Sequence, residues 1–231
     1  MKTAGIVGGI GPESTVEYYR LIIASYRERT RDGTYPSLLI NSIDVKQMLD
    51  LIGASKLPEV TEYLLRELER LARAGADFAA LAANTPHIVF DALCARSPVP
   101  LISIVQVTCE AARAKGLKRV SLFGTRFTMQ APFYPEALTR SGITMVPANP
   151  DEQEYIHEKY MRELLNGIFS PVSRDGLLAI VERMKAHDGI DGVILGGTEL
   201  PLILRAEEHA GIPLLDTTKL HVEAIVSRLL S

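Results

Sequence analysis

The chain has 231 residues, 47% of them hydrophobic and 23% charged, with a formal net charge of −3. That balance is globular rather than disordered, and with no lysine or arginine block it excludes a basic face for nucleic acid or an anionic membrane surface. The apolar runs are strand-sized, well short of the roughly 20 residues of a membrane span, and the start "MKTAGIVGG" has no signal-peptide layout, so a cytoplasmic protein is expected.

Short aliphatic runs alternate with stretches of helical period, the pattern of βαβ units around mostly parallel sheet. In chain order, strands are expected near residues 4–7, 37–41, 78–82, 100–104, 119–123, 143–147, 191–195 and 212–215. Between the second and third, "LPEVTEYLLRELERLARAGAD" predicts a helix: Pro58 suits a first turn, Val60, Leu64, Leu65, Leu68 and Leu71 share a face, and Gly75 suits the stop. "AGIVGG" aligns with "VSLFGT", "ADFAALAANT" with "IDGVILGGTE" and "VPLISI" with "IPLLDT", in order and at nearly one offset. These matches predict an internal duplication: two similar four-stranded α/β domains, residues 1–104 with a returning segment 213–231, and residues 105–212.

In open parallel sheets ligands bind beyond the carboxyl ends of the strands, so two facing halves would enclose an interdomain cleft. Its lining would be "GGIGPEST" (8–15), "NSID" (41–44), "AANTPH" (82–87), "GTRFT" (124–128) and "GGTEL" (196–200). The first phrase opens a helix, with amides near Ile10 and Gly11 and the hydroxyls of Ser14 and Thr15, and suits a small anion or a plain tight turn. It departs from a dinucleotide fingerprint, because Ser14 stands in place of the third glycine and Asp44 lies too far on.

Asn84 and Thr85 follow the third strand and read either as helix caps or as carboxylate donors. Thr198 and Glu199 stand at the matching place in the second half. His87 and Glu199 are the titratable groups of these exits, each a candidate acid or base or an orienter of one. Cys94 and Cys109 fall in helical segments and read as packing residues, and the five histidines show no metal-ligand spacing, so no metal is expected. In "EYIHEKYMREL", Lys159 or Arg162 offers a basic contact or a solvated helix face.

Taken together, "GIVGGIGPESTVEYYRLI", "ANTPH", "LFGTRFTM" and "GGTELPLI" resemble the aspartate/glutamate racemase family, in the family's order and over essentially the whole chain. The resemblance implies two α/β domains related by a pseudo-two-fold, a homodimer, and cofactor-independent racemisation in which a thiolate takes the α-proton from one face and a thiol returns one to the other. It also implies a carboxylate held by Asn84, Thr85, Thr125 and Thr198 with amides near Ile10 and Gly11. The family's phrases are Cys-Asn-Thr and Gly-Cys-Thr-Glu; here Ala83 and Gly197 stand at the two catalytic positions. Neither a methyl group nor a hydrogen can accept a proton, so the two-thiol mechanism cannot run as such, and His87 and Glu199 flank the two gaps.

Three readings are open. The chain is a racemase-like isomerase moving a proton on a small amino acid or carboxylate with substitute groups, a non-catalytic binder of such a carboxylate, or a cysteine-replaced variant of an ordinary amino-acid racemase. The segment "NSIDVKQMLD" offers Asp44, Lys46 or Gln47 for side-chain selectivity.

Overall fold

A computed structural model describes residues 2–231. They form two compact units, one of the residues up to Ile104 together with His221–Ser231, the other Val105–Leu220. The first runs β1 (Thr3–Gly8), α1 (Pro12–Thr30), β2 (Ser37–Ser42), α2 (Val45–Gly53), α3 (Leu57–Arg73), β3 (Phe78–Leu81), a 3₁₀ turn (Thr85–Val89), α4 (Phe90–Arg96) and β4 (Leu101–Ile102). The chain then passes through α5 (Ile104–Ala114), β5 (Arg119–Phe123), α6 (Arg126–Gln130), α7 (Phe133–Arg140), β6 (Thr144–Met145) and α8 (Pro150–Arg162). It continues through α9 (Pro171–Arg183), β7 (Gly192–Leu195), α10 (Leu200–Ile203), β8 (Glu208–His209), β9 (Ile212–Asp216) and α11 (Thr217–Leu230).

The first sheet is parallel, in the order β2-β1-β3-β4. The second repeats that order as β6-β5-β7-β9, with all three ladders parallel, and adds the two-residue β8 antiparallel to β9. One topology therefore occurs twice in the chain, the outcome expected of a duplicated α/β unit. All eight expected strands form. Those read at 100–104 and 143–147 shorten to two residues each, and both lie at a sheet edge, where a ladder partner exists on one side only.

One boundary differs from the sequence reading. The expected bounds put the whole segment 213–231 in the first domain, but Leu214, Leu215 and Asp216 register with Val193, Ile194 and Leu195 of β7. Residues 213–216 thus belong to the second sheet, and the first unit regains the chain only at His221. The short apolar phrase "IPLL" satisfies its backbone groups where an adjacent parallel ladder is available, and β7 supplies that ladder.

Each unit buries its sheet under helices. In the first, Ala4 and Ile6 of β1 and Phe78 and Ala80 of β3 pack with Tyr18, Ile22 and Tyr26 of α1 and Val222, Ile225, Val226 and Leu229 of α11. The spacing of four in α1 puts its three large residues in one row. On α3, Val60, Leu64, Leu65, Leu68 and Leu71 are buried as the sequence pattern predicts, and Gly75, at φ 99°, ends the helical stretch. A polar tie joins the same elements: Tyr18 donates to His221 Nδ1 at 2.8 Å, and His221 Nε2 donates to the Ile102 carbonyl at 3.0 Å. Because a carbonyl can only accept, the pair fixes a neutral imidazole with its proton on Nε2. In the second unit, Phe123, Val193, Leu195 and Leu214 of the sheet pack with Ile156 and Tyr160 of α8 and Leu177, Ile180 and Val181 of α9. Asn149 and Glu152 start α8 with a reciprocal capping box. Among the described residues, no helix is long and apolar enough to cross a membrane.

Candidate active site

The exit of β1 is a turn that only glycine can make. Gly9 and Gly11 have φ of 77° and 73°, in the left-handed region that side chains avoid. A Cβ on Gly9 would also meet the Ser42 hydroxyl at 2.6 Å and the Ile43 amide nitrogen at 2.7 Å. The Gly9 amide donates to Thr15 Oγ1 at 2.8 Å, Thr15 Oγ1 donates to the Gly11 carbonyl at 3.0 Å, and Ser14 Oγ donates to the same carbonyl at 2.9 Å. The two hydroxyls read from sequence as ligand donors therefore brace the turn itself. Buried Ile10 sits at its apex, with Gly11 leading into α1.

The exit of β3, next to β1 in the sheet, carries Ala83, Asn84, Thr85 and His87, all buried. The Asn84 side chain makes no capping hydrogen bond, so the capping reading fails for it. The His87 amide closes the turn onto the Asn84 carbonyl at 2.9 Å, and its ring stacks on Phe90 with centroids 4.4 Å apart. Both ring nitrogens are buried without a hydrogen-bonding partner among the described residues; the ring lies near the Ala83 and Asn84 carbonyls but outside hydrogen-bond geometry. Burial, reinforced by nearby His221, pushes the His87 imidazole down to about 3. It is therefore neutral across the physiological range, a weak base that can still donate or accept one hydrogen bond.

In the second unit the exits of β5 and β7 approach closely. A Cβ on Gly124 would lie 3.1 Å from the Gly196 carbonyl, and the Gly196 amide donates to the Phe123 carbonyl at 2.7 Å. Thr125 caps α6, accepting from the Thr128 amide at 3.2 Å. Thr198 and Glu199 follow Gly197, and both are buried, Glu199 completely. The Thr198 hydroxyl donates to Glu199 Oε2 at 3.2 Å.

The decisive residue here comes from elsewhere in the chain. The Tyr160 hydroxyl, from α8, also donates to Glu199 Oε2. Its ring lies over Gly197: a Cβ built there would fall against Cε2, with Cζ at 2.8 Å and Cδ2 at 3.1 Å. The space beside position 197 is thus occupied by an aromatic ring rather than left open. Burial and the Glu199 charge hold the Tyr160 phenol well above its usual range, so it stays protonated and acts as a donor to the carboxylate.

Thr198 and Glu199 are neighbours in the sequence, whereas Tyr160, inside the phrase "EYIHEKYMREL", is not singled out there. The available signal is spacing: Ile156, Tyr160 and Leu164 recur every fourth residue and all are buried. A buried tyrosine hydroxyl demands a partner. The two cations singled out in that phrase are committed locally, Lys159 to Glu163 at 2.6 Å and Arg162 to Glu158 at 3.1 Å. Lys46, weighed for selectivity, likewise pairs with Asp50 at 2.5 Å.

Neither cysteine of the chain lies in an environment that activates a thiol. Cys109 is buried in α5, and desolvation pushes its thiol up to about 12. Cys94, exposed on α4, is also raised by partial burial and by Asp91. Neither environment favours the nucleophilic thiolate.

Comparison with known proteins agrees with this architecture. The model of the Asp/Glu/Hydantoin racemase family matches residues 7–225. The broad specificity amino-acid racemase RacX of Bacillus subtilis (strain 168) is 24% identical over 241 residues, spanning 98% of each chain. An aspartate racemase homologue from Pyrococcus horikoshii OT3 is 33% identical, covers 100% of both chains and superposes with a TM-score of 0.86. The aspartate racemase of Picrophilus torridus, at 22% identity, shares the fold with a TM-score of 0.79 over 99% of this chain and 94% of its own.

Proposed function

Since the chain belongs to the Asp/Glu/hydantoin racemase family, we propose that it is a cofactor-independent, racemase-like isomerase that moves a proton at the α-carbon of a small amino acid or carboxylate without the two-thiol mechanism. The observation that carries this reading is the Glu199 cluster. At an exit where the family pattern calls for a thiol, Gly197 has no side chain, and a fully buried carboxylate is held beside it by Tyr160 and Thr198. A carboxylate is costly to bury. It is the base with which this exit can still accept a proton.

The binding groups proposed at the individual exits are Ile10 and Gly11 after β1, Asn84 and Thr85 after β3, Thr125 after β5 and Thr198 after β7. Neutral His87 serves as a hydrogen-bonding orienter rather than as the base that breaks the C–H bond. That RacX is named for broad specificity supports a substrate range of small amino acids rather than one acidic residue. A cytoplasmic homodimer is the assembly proposed.

The test is proton exchange. In heavy water, incubation with L-alanine, L-aspartate and L-glutamate should give loss of the α-proton signal by NMR. Absence of exchange with all three, at enzyme concentrations comparable to substrate, together with thermal stabilisation by one of them, would replace this reading with that of a carboxylate-binding protein.

A further inference from the structure

The buried cluster at the β7 exit does more than supply a base, and its further role rests on the isomerase activity proposed for the chain. Two hydroxyl side chains converge on one oxygen of the Glu199 carboxylate. Tyr160 reaches Glu199 from α8, 39 positions away in the chain, while Thr198 is its immediate neighbour. The Tyr160 ring fills the space beside Gly197, where any larger residue would collide with it. All three are buried, Tyr160 at 5%, Thr198 at 2% and Glu199 at 0% exposure. A side chain that merely filled space could be phenylalanine, whereas this one brings a hydroxyl to the single oxygen that Thr198 also holds.

We propose that Tyr160 is a positioning residue for Glu199. Its ring packs against Gly197 where a thiol would otherwise project, and its hydroxyl fixes the orientation of the carboxylate that takes the α-proton. In the step itself, the α-C–H bond breaks and an O–H bond forms on the Glu199 carboxyl. The electron pair stays on the carbon and delocalises into the substrate carboxylate. Water exchanges the proton held on Glu199, and redelivery to that carbon restores the carboxylate and, when it reaches the opposite face, inverts the centre, so atoms and charge balance with water as the only further reactant. Tyr160 keeps its own proton throughout and contributes a charge-assisted hydrogen bond to the ionised form. Gly197 and Tyr160 are on this view one device, in which the missing side chain makes room for the ring that holds the base.

The test uses the full chain and the α-proton exchange of L-alanine, L-aspartate and L-glutamate in heavy water. Glu199→Gln should lower the exchange rate by roughly 100-fold or more, the usual contribution of a positioned base. Tyr160→Phe keeps the ring and removes the hydroxyl. It should lower kcat about 10-fold through loss of orientation, with KM within about twofold. It should also move the acid limb of the rate profile to higher pH, because it removes one of the two hydroxyl donors, Tyr160 from α8 and Thr198 from its own turn, that stabilise the ionised form of Glu199. A space-filling role predicts no shift of that limb.

Exchange by Tyr160→Phe at the parental rate with an unmoved acid limb overturns the proposal while leaving the isomerase reading intact. A Tyr160→Phe variant whose circular dichroism departs from the parent is replaced by Thr198→Val, which removes the other donor to the same oxygen and should shift the limb in the same direction; an unmoved limb there counts against the proposal equally. A parent chain that exchanges none of the three removes both the reading and this inference.

Discussion

Gly197→Ala adds one methyl group at a place where the Tyr160 ring already stands. Carbon atoms in good contact lie about 3.5–4.0 Å apart, but the new Cβ would find ring atoms at 2.8 and 3.1 Å and another closer still. Either the strand exit or the ring must shift by roughly 1 Å to restore ordinary contact. The ring has little freedom, being packed within the second core and tied to Glu199. Overpacking of this kind costs about 1–3 kcal/mol, and displacement of the ring adds about 1.5–3 kcal/mol if the hydrogen bond to the carboxylate is lost. Against this, alanine narrows the unfolded ensemble by about 0.4–1 kcal/mol. The net expectation is destabilisation of about 2–4 kcal/mol, or a Tm lower by roughly 4–16 °C for a protein of this size.

Urea unfolding followed by circular dichroism measures the change directly. Gly53, at the end of α2, provides the control, because a Cβ added there would meet no atom within 4 Å. Gly53→Ala should stabilise by about 0.5 kcal/mol. Combining Gly197→Ala with Tyr160→Leu should recover about 1–2 kcal/mol relative to additivity, since the two residues touch. A Gly197→Ala protein as stable as its parent would refute the claim that the ring occupies this space.

Three further outcomes are expected of the same structure. His87 and His221 are held near 3 and 4 by burial, below the unfolded value near 6.5; the unfolded chain therefore binds protons first, and stability that is complete above pH 6.5 falls on acidification by about 1.4 kcal/mol per pH unit for each histidine. Urea midpoints between pH 6 and 5 should approach that slope, and His87→Leu should roughly halve it; a flat pH dependence would contradict the burial of these rings. Gly9→Ala and Gly33→Ala both require a left-handed alanine, but only Gly9 would also strike neighbouring atoms, so Gly9→Ala should cost at least about 1–3 kcal/mol more in the same unfolding assay; equal costs would count against the tight β1 exit. A thiol reagent should modify one cysteine in the native protein, exposed Cys94, and both in denaturant, because Cys109 is buried with its thiol near 12; rapid labelling of two would place Cys109 in a different environment.

The legible part of this molecule is its periodicity. Alternating apolar runs locate the eight strands that share the repeated order, and the leucine face of α3 is visible from Val60 to Leu71. Local phrases also locate the exits, because a strand that stops at glycines and resumes as a helix is written in contiguous residues. The hidden part depends on pairing across sequence distance. The two-residue β8 has too few residues to carry a pattern and exists because β9 offers it a partner. The placement of residues 213–216 turns on which ladder accepts them. Tyr160 is the clearest case: its helix looks charged from outside, and the hydroxyl finds its carboxylate only after the fold brings α8 onto the β7 exit.

The last turns of the chain belong to the core of the first unit. Val222, Ile225, Val226 and Leu229 cover β1 and β3 together with α1, although those strands are made more than a hundred residues earlier. During synthesis the second sheet has all its strands once Asp216 has emerged, whereas one face of the first is covered by α1 alone until α11 follows. The first unit therefore completes its core only after the whole second sheet has been made.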